Sequence, residues 1–141
     1  MTTLVVDASV VVKWFFPEEH SDAARRLLAA RRYALLAPDL IWSEAGNAVW
    51  KRVRRGELAA DEASQIAADL IRLPLTTTGT HGLAAAALEL ALATGRTVYD
   101  CMYLALAIDR ECRLVTADER FVNALATTPL ARRIRHVAKL R

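Results

Sequence analysis

Three apolar residues in a row, Leu4-Val5-Val6, run straight into an acid, Asp7. A β-branched run without polar alternation suits a strand buried on both faces, the place a parallel sheet provides. Parallel strands need crossover connections, usually helical. The rest of the sequence reads that way. A helix is expected from Ser9 onward, then another over 21–32 with Ala24, Leu27 and Leu28 as its apolar stripe. A strand follows at 33–37, closed by Pro38. Asp39 then reads as the N-cap of a helix from Leu40 to about Arg55, stopping at Gly56. Asp61 reads as the cap of a helix running to Leu73, where Pro74 breaks it. The remaining expected elements are a weak strand at 75–78, helices at 82–93 and 99–110, a strand at 113–116, a helix at 119–126 and a last strand at 134–137. Short strands alternating with longer helices are the pattern of an α/β fold around a parallel sheet.

With 141 residues the chain is expected to be one domain, 1–141. A composition of 54% hydrophobic and 25% charged residues excludes a disordered chain. Cys101 and Cys112 fall at opposite ends of one expected helix, too far apart for a disulfide. The amino terminus lacks the basic, then apolar, pattern of a secretion signal. The longest uncharged stretch, 73–88, is interrupted by Pro74, Gly79 and Gly82, so no membrane span is expected and the cytoplasm is the expected location. The net charge of +3 leans toward anionic partners.

Most of the acidic residues have plain structural readings on polar helix faces, in loops or at caps. Asp7, Glu44, Asp100 and Asp118 do not, because each sits among apolar neighbours. Asp7 ends the first strand, and Asp118 follows the strand Leu114-Val115-Thr116 after a single alanine. Ligands of open parallel sheets bind beyond the carboxyl ends of the strands, so two strands bring an acid to the same edge. Asp100 opens the apolar helix Cys101 to Ala107, and Glu44 is the lone acid between Trp42 and Trp50. Taken singly, Asp100 and Asp118 also read as N-caps, Asp7 as a strand-end cap and Glu44 as a surface residue. Taken together, they make an all-oxygen set without paired histidines or cysteines, which suits Mg²⁺ or Mn²⁺ rather than zinc. Such a site activates water and stabilises charge on a phosphodiester. Lys51 and Arg52 begin a basic run on the helix of Glu44, with Asn47 and Lys51 on the face of that acid, a path for a nucleic-acid backbone.

These residues resemble a known family. Val5-Val6-Asp7-Ala8-Ser9, Ser43-Glu44 with Asn47, Tyr99-Asp100 with Tyr103 to Ala107, and Thr116-Ala117-Asp118-Glu119-Arg120-Phe121 together look like a PIN domain. In length and spelling they are most similar to the VapC-type toxins of bacterial toxin–antitoxin pairs. The resemblance implies a three-layer α/β/α sandwich, Rossmann-like, with a parallel sheet of four to five strands. It implies a Mg²⁺- or Mn²⁺-dependent endoribonuclease, a homodimer, and a VapB-type antitoxin whose tail fills the active-site groove. By position, Asp7 and Asp100 would be the principal metal ligands, with Glu44 and Asp118 completing the quartet. Ser9 and Thr116 would be supporting hydroxyls, and Asn47 a contact to substrate or to the ligands.

Two other readings stand beside this one. An aspartate-based phosphatase wants a second Asp two residues after the first, where this chain has Ser9. A non-catalytic PIN-fold binding module would keep the fold without the cleavage. Trp14 and Phe15 are candidates for an exposed apolar contact between copies of the chain.

Overall fold

The computed structural model describes residues 1–140. The strands are β1 (Thr2–Val6), β2 (Tyr33–Pro38), β3 (Leu75–Thr78), β4 (Arg113–Thr116) and β5 (Ile134–His136). Between them lie α1 (Ala8–Phe15), α2 (Ser21–Ala29), α3 (Leu40–Arg54), α4 (Ala60–Leu70), α5 (Ala84–Thr94), α6 (Val98–Asp109) and α7 (Glu119–Leu125), with short 3₁₀ turns. The strands form one sheet in the order β3-β2-β1-β4-β5, and every pairing is parallel. The α/β fold read from the sequence is therefore present, at the upper end of its strand count.

β1 lies at the centre because its residues suit no other place. Leu4, Val5 and Val6 are all buried, as are Leu114 and Val115 of the neighbouring β4. The chain winds from β1 through β2 to β3 on one side, then returns across the sheet to β4 and β5. Right-handed crossovers place the helices of these two directions on opposite faces, which makes the three layers. The winding reverses between β1 and β4, the point where open sheets part at their carboxyl ends and leave a crevice. α6 packs on β1, β2 and β4 and is covered on its outer side by α5. That double contact explains why Cys101 and the run from Tyr103 to Ala107 are all buried on one helix.

Several local readings need correction. Asp39 makes no side-chain cap: its backbone is already helical, at φ −65° and ψ −10°, whereas a cap residue is extended. Its amide donates to the Thr78 carbonyl at 2.8 Å, continuing the β2–β3 ladder. Asp61 lies inside α4 rather than capping it, and Glu62 reaches back to the Ala59 amide at 3.3 Å. Asp100 is not a cap either, since Thr97 fills that role by accepting the Asp100 amide at 3.1 Å. α4 ends at Leu70, earlier than Leu73, in two tight turns ahead of Pro74. Trp14 belongs to the core, with its indole N–H on the Ala24 carbonyl at 2.7 Å. Both cysteines are free thiols.

Candidate active site

β1 and β4 are hydrogen-bonded neighbours, with Val6 opposite Val115. The residues that follow the two strands are therefore held side by side. Asp7 is 7% exposed and spends its side chain on three local bonds. Its Oδ1 accepts the Ser9 amide at 3.1 Å, which caps α1, and the Ser9 hydroxyl at 2.5 Å. Its Oδ2 accepts the Thr116 hydroxyl at 2.5 Å. These hydroxyls are anchored from the other strand. Ser9 Oγ accepts the Ala117 amide at 2.8 Å, and Thr116 Oγ1 accepts the Asp118 amide at 3.1 Å. Burial pushes the Asp7 carboxyl up to about 6, against the pull of the two hydroxyls, and the Asp100 charge adds to the rise.

Asp118 uses both of its oxygens. Oδ1 caps α7, accepting the amides of Arg120 at 3.0 Å and Phe121 at 3.3 Å. Oδ2 takes the Arg96 guanidinium at 2.7 Å. The same Nη2 atom donates to Asp100 Oδ2 at 3.0 Å, so one nitrogen bridges two carboxylates. Arg96 follows Gly95, which ends α5 at φ +75°, a backbone that a side chain would strain. Its guanidinium lies 4.9 Å from the centroid of Phe121. Burial raises the Asp100 carboxyl above its ordinary range, and the Arg96 charge opposes that rise.

Glu44 comes from α3, on the far side of the cleft. The Tyr103 hydroxyl of α6 donates to Glu44 Oε1 at 2.6 Å. Burial raises the Glu44 carboxyl, partly offset by this bond, and the Asp100 charge raises it further. Burial, the bond to Glu44 and the charges of Glu44, Asp7 and Asp100 all disfavour ionisation of Tyr103, so it stays a donor. Asn47 is exposed one turn beyond Glu44, and Lys51 is exposed a turn after that. Arg52 is turned elsewhere: it pairs with Glu18 and stacks over Phe16 at 4.0 Å.

Asp100 is thus the electrostatic hub, coupled to Asp7, Glu44 and Asp118. Among the described residues no three acidic, histidine or cysteine side chains already stand close enough to cage an ion. The donor chemistry nevertheless fits a hard divalent cation. Asp7, Glu44 and Asp100 are oxygen donors from three separate elements, and the charged form of each is disfavoured by burial and by a neighbouring acid of the cleft. A cation relieves both penalties at once.

A PIN domain model matches residues 4–124. The chain belongs to the PIN domain family. Within that family it is 38% identical over 120 residues to ribonuclease VapC3 of Pyrobaculum aerophilum, covering 83% of this chain and 90% of that one. Among solved structures, PAE2754 from the same organism superposes with a TM-score of 0.67 at 28% identity, over 97% of this PIN chain and 85% of that chain. VapC20 of Mycobacterium tuberculosis, a toxin described as cleaving the sarcin-ricin loop, gives a TM-score of 0.69 at 16% identity over 86% and 94% of the two chains. VapBC2 from Rickettsia felis, solved on a promoter DNA fragment, gives 0.64 at 15% identity over 96% and 98%. The fold of this PIN domain is that of VapC proteins.

Two residues of the cleft were given no role by the sequence reading. Arg96 lies just outside the helix of Asp100, and only its spacing of four residues from that acid hints at the pair. Tyr103 shares a helix face with Asp100 at i+3, a signal that was present but indistinguishable from core packing.

Proposed function

We propose that this chain is a Mg²⁺- or Mn²⁺-dependent endoribonuclease, the toxin of a VapBC-type toxin–antitoxin pair. The observation that carries the reading is Asp7: a buried carboxyl held at about 6 beside a second raised carboxyl, Asp100, at the carboxyl edge of the sheet. A fold needs no such pair, and keeping it opposes stability. The 38% identity to a VapC ribonuclease supports the activity. A toxin–antitoxin complex from Klebsiella pneumoniae among the structural neighbours, with a TM-score of 0.64, supports the pairing with an antitoxin.

Asp7, Glu44 and Asp100 would hold the ion, with Asp118 as the fourth acid of the cleft. Bound there, a divalent cation supplies an activated water and charge stabilisation for in-line displacement at phosphorus. The chain's own groups fix the geometry. Ser9 and Thr116 lock the rotamer of Asp7. Tyr103 does the same for Glu44. Lys51, with Arg54 and Arg55 beyond it, offers cations that draw an RNA backbone along α3, and Asn47 is placed to contact it. Arg52, held by Glu18, adds little to that field. A VapB-type antitoxin would occlude this groove, and the chain would act as a homodimer in the cytoplasm.

The test is cleavage of a labelled RNA by the wild type and by Asp7→Asn, each with Mg²⁺ and with EDTA. Cleavage is expected only for the wild type with Mg²⁺. Equal cleavage by the variant, or by the wild type in EDTA, would defeat the reading.

A further inference from the structure

The amino edge of the sheet, opposite the acid cleft, carries the reverse charge. Three adjoining hollows cross the starts of β2, β1 and β4 and meet at Leu140, forming one open groove. Six exposed cations line it: Arg26, Arg32, Arg110, Arg113, Arg135 and Lys139. Among the described residues, Glu111 is the one acid in that lining. Arg110 pairs with Asp109 at 3.7 Å, and none of the other five has a described ion pair. Helix ends account for part of this pattern. Arg26 lies in the last turn of α2 and Arg110 follows α6, where a cation complements the dipole. Arg113 and Arg135 stand on strands, and a sheet has little dipole to offset. Like charges gathered without partners oppose folding unless an anion joins them.

We infer that this groove is a second RNA-binding surface, which holds the phosphate backbone of the substrate at the edge of the sheet away from the cleft. The inference rests on the nuclease reading above and extends the enzyme's grip to RNA beyond the bond that is cut. The cations are strung along a groove rather than gathered at one point, which suits the repeated charges of a polymer. Arg32 is held to Tyr33 twice, over its ring at 5.0 Å and by donating to its hydroxyl at 3.1 Å. A guanidinium fixed in this way presents a plane on which a base stacks, and an acidic protein has no use for it. The cleft itself is short of cations: of its four acids, Asp100 and Asp118 share Arg96, and the described ion pairs give Asp7 and Glu44 none. Affinity for a polyanion therefore has to come from elsewhere on the molecule. β1 is five residues long, so roughly 17 Å separate the two edges. An RNA held at both is folded, or long enough to pass around the domain.

The measurement compares two double variants of the full chain, Arg113→Gln/Arg135→Gln in the groove and Arg25→Gln/Arg72→Gln outside it. Both remove the same charge. Binding of a labelled transfer RNA is followed by fluorescence anisotropy across a salt series, in an Asp7→Asn background that keeps the RNA whole. The groove double should bind about tenfold more weakly, with a log–log salt slope shallower by about 1.5. The control double should match the parent in affinity and slope. With Asp7 intact, the groove double should raise KM for the RNA that the wild type cuts and leave kcat unchanged. Melting curves confirm that each variant is folded. An unchanged slope in the groove double would overturn the inference and leave the groove to an acidic protein partner. An equal loss in the control double, or a fall in kcat without a rise in KM, would overturn it as well. In all three cases a wild type that cuts RNA keeps the nuclease reading. A wild type that binds RNA through the groove and never cuts it would fail the nuclease reading alone.

Discussion

The two halves of the acidic cleft meet the same problem with different chemistry. Around Asp7 the neighbours are neutral: two hydroxyls and an amide donate to it, and burial still keeps the carboxyl raised to about 6. Around Asp118 the neighbour is a full positive charge, Arg96, which also holds Asp100. Hydroxyls orient a carboxylate without cancelling its charge, so the Asp7 half stays receptive to a cation. A guanidinium offsets part of the negative charge that Asp118 and Asp100 bring together. The difference teaches that an acidic cleft is not uniform in what it asks of a metal.

The comparison breaks most visibly in activity. Asp7→Asn and Asp100→Asn are each expected to lower RNA cleavage by about a thousandfold, the scale of removing one preorganised electrostatic group. The check is single-turnover cleavage of a labelled RNA, with circular dichroism to show that both variants fold.

Stability should move the other way. A carboxyl at about 6 rather than 3.8 disfavours its own ionised form by roughly 3 kcal/mol at neutral pH. Between those values the folded state binds more protons than the unfolded one, so metal-free stability falls as pH rises through this window. Asn keeps the cap on α1 and lacks the charge. In EDTA at pH 7, Asp7→Asn should therefore melt several degrees above the wild type, with much of the decline between pH 4 and 6 removed. An unchanged melting temperature and pH slope would show that Asp7 is not strained in the absence of metal.

Thr116→Val tests the hydroxyl half more gently. Thr116 is fully buried, and its loss leaves Asp7 Oδ2 and the Asp118 amide short of a partner. A cost of about 1–3 kcal/mol follows for unsatisfied buried groups. Chemical denaturation of the metal-free protein measures it, and a cost below about 0.5 kcal/mol would contradict the role given to this hydroxyl.

The smallest effect belongs to the charged half. Asp118→Asn and Arg96→Gln should each lower cleavage by about tenfold, and the double variant should lose little more, because the two residues act as one unit. Additive losses, near a hundredfold in the double, would separate them.

How much of this was legible in the sequence depends on distance along the chain. Asp7 announced itself because Leu4-Val5-Val6 can only be a buried strand, and a buried strand ends at the sheet edge. Asp118 was placed by the same logic one strand away. Arg96 was not, because its decisive partner is 22 residues off and neither residue has a neighbour that demands the pair. Tyr103 and Glu44 are 59 residues apart, and their bond depends on how α6 packs rather than on any local pattern. Asp39 misled for a backbone reason: Asp after Pro38 has the composition of a cap, but the β2–β3 ladder continues through its amide. His20 and His136, far apart along the chain, lie ring against ring at 4.9 Å, a contact that no local pattern announces.

The stitch between the ends of β1 and β4 has one further consequence. Ser9 reaches the Ala117 amide and Thr116 reaches Asp7 only when Val6 stands opposite Val115. A slip of one residue would turn Thr116 to the opposite face of the sheet. A chain that collapsed with these strands misaligned would have every acid it needs and no way to aim them. Misassembled molecules are therefore silent, and the capacity to cut arrives only with the finished sheet.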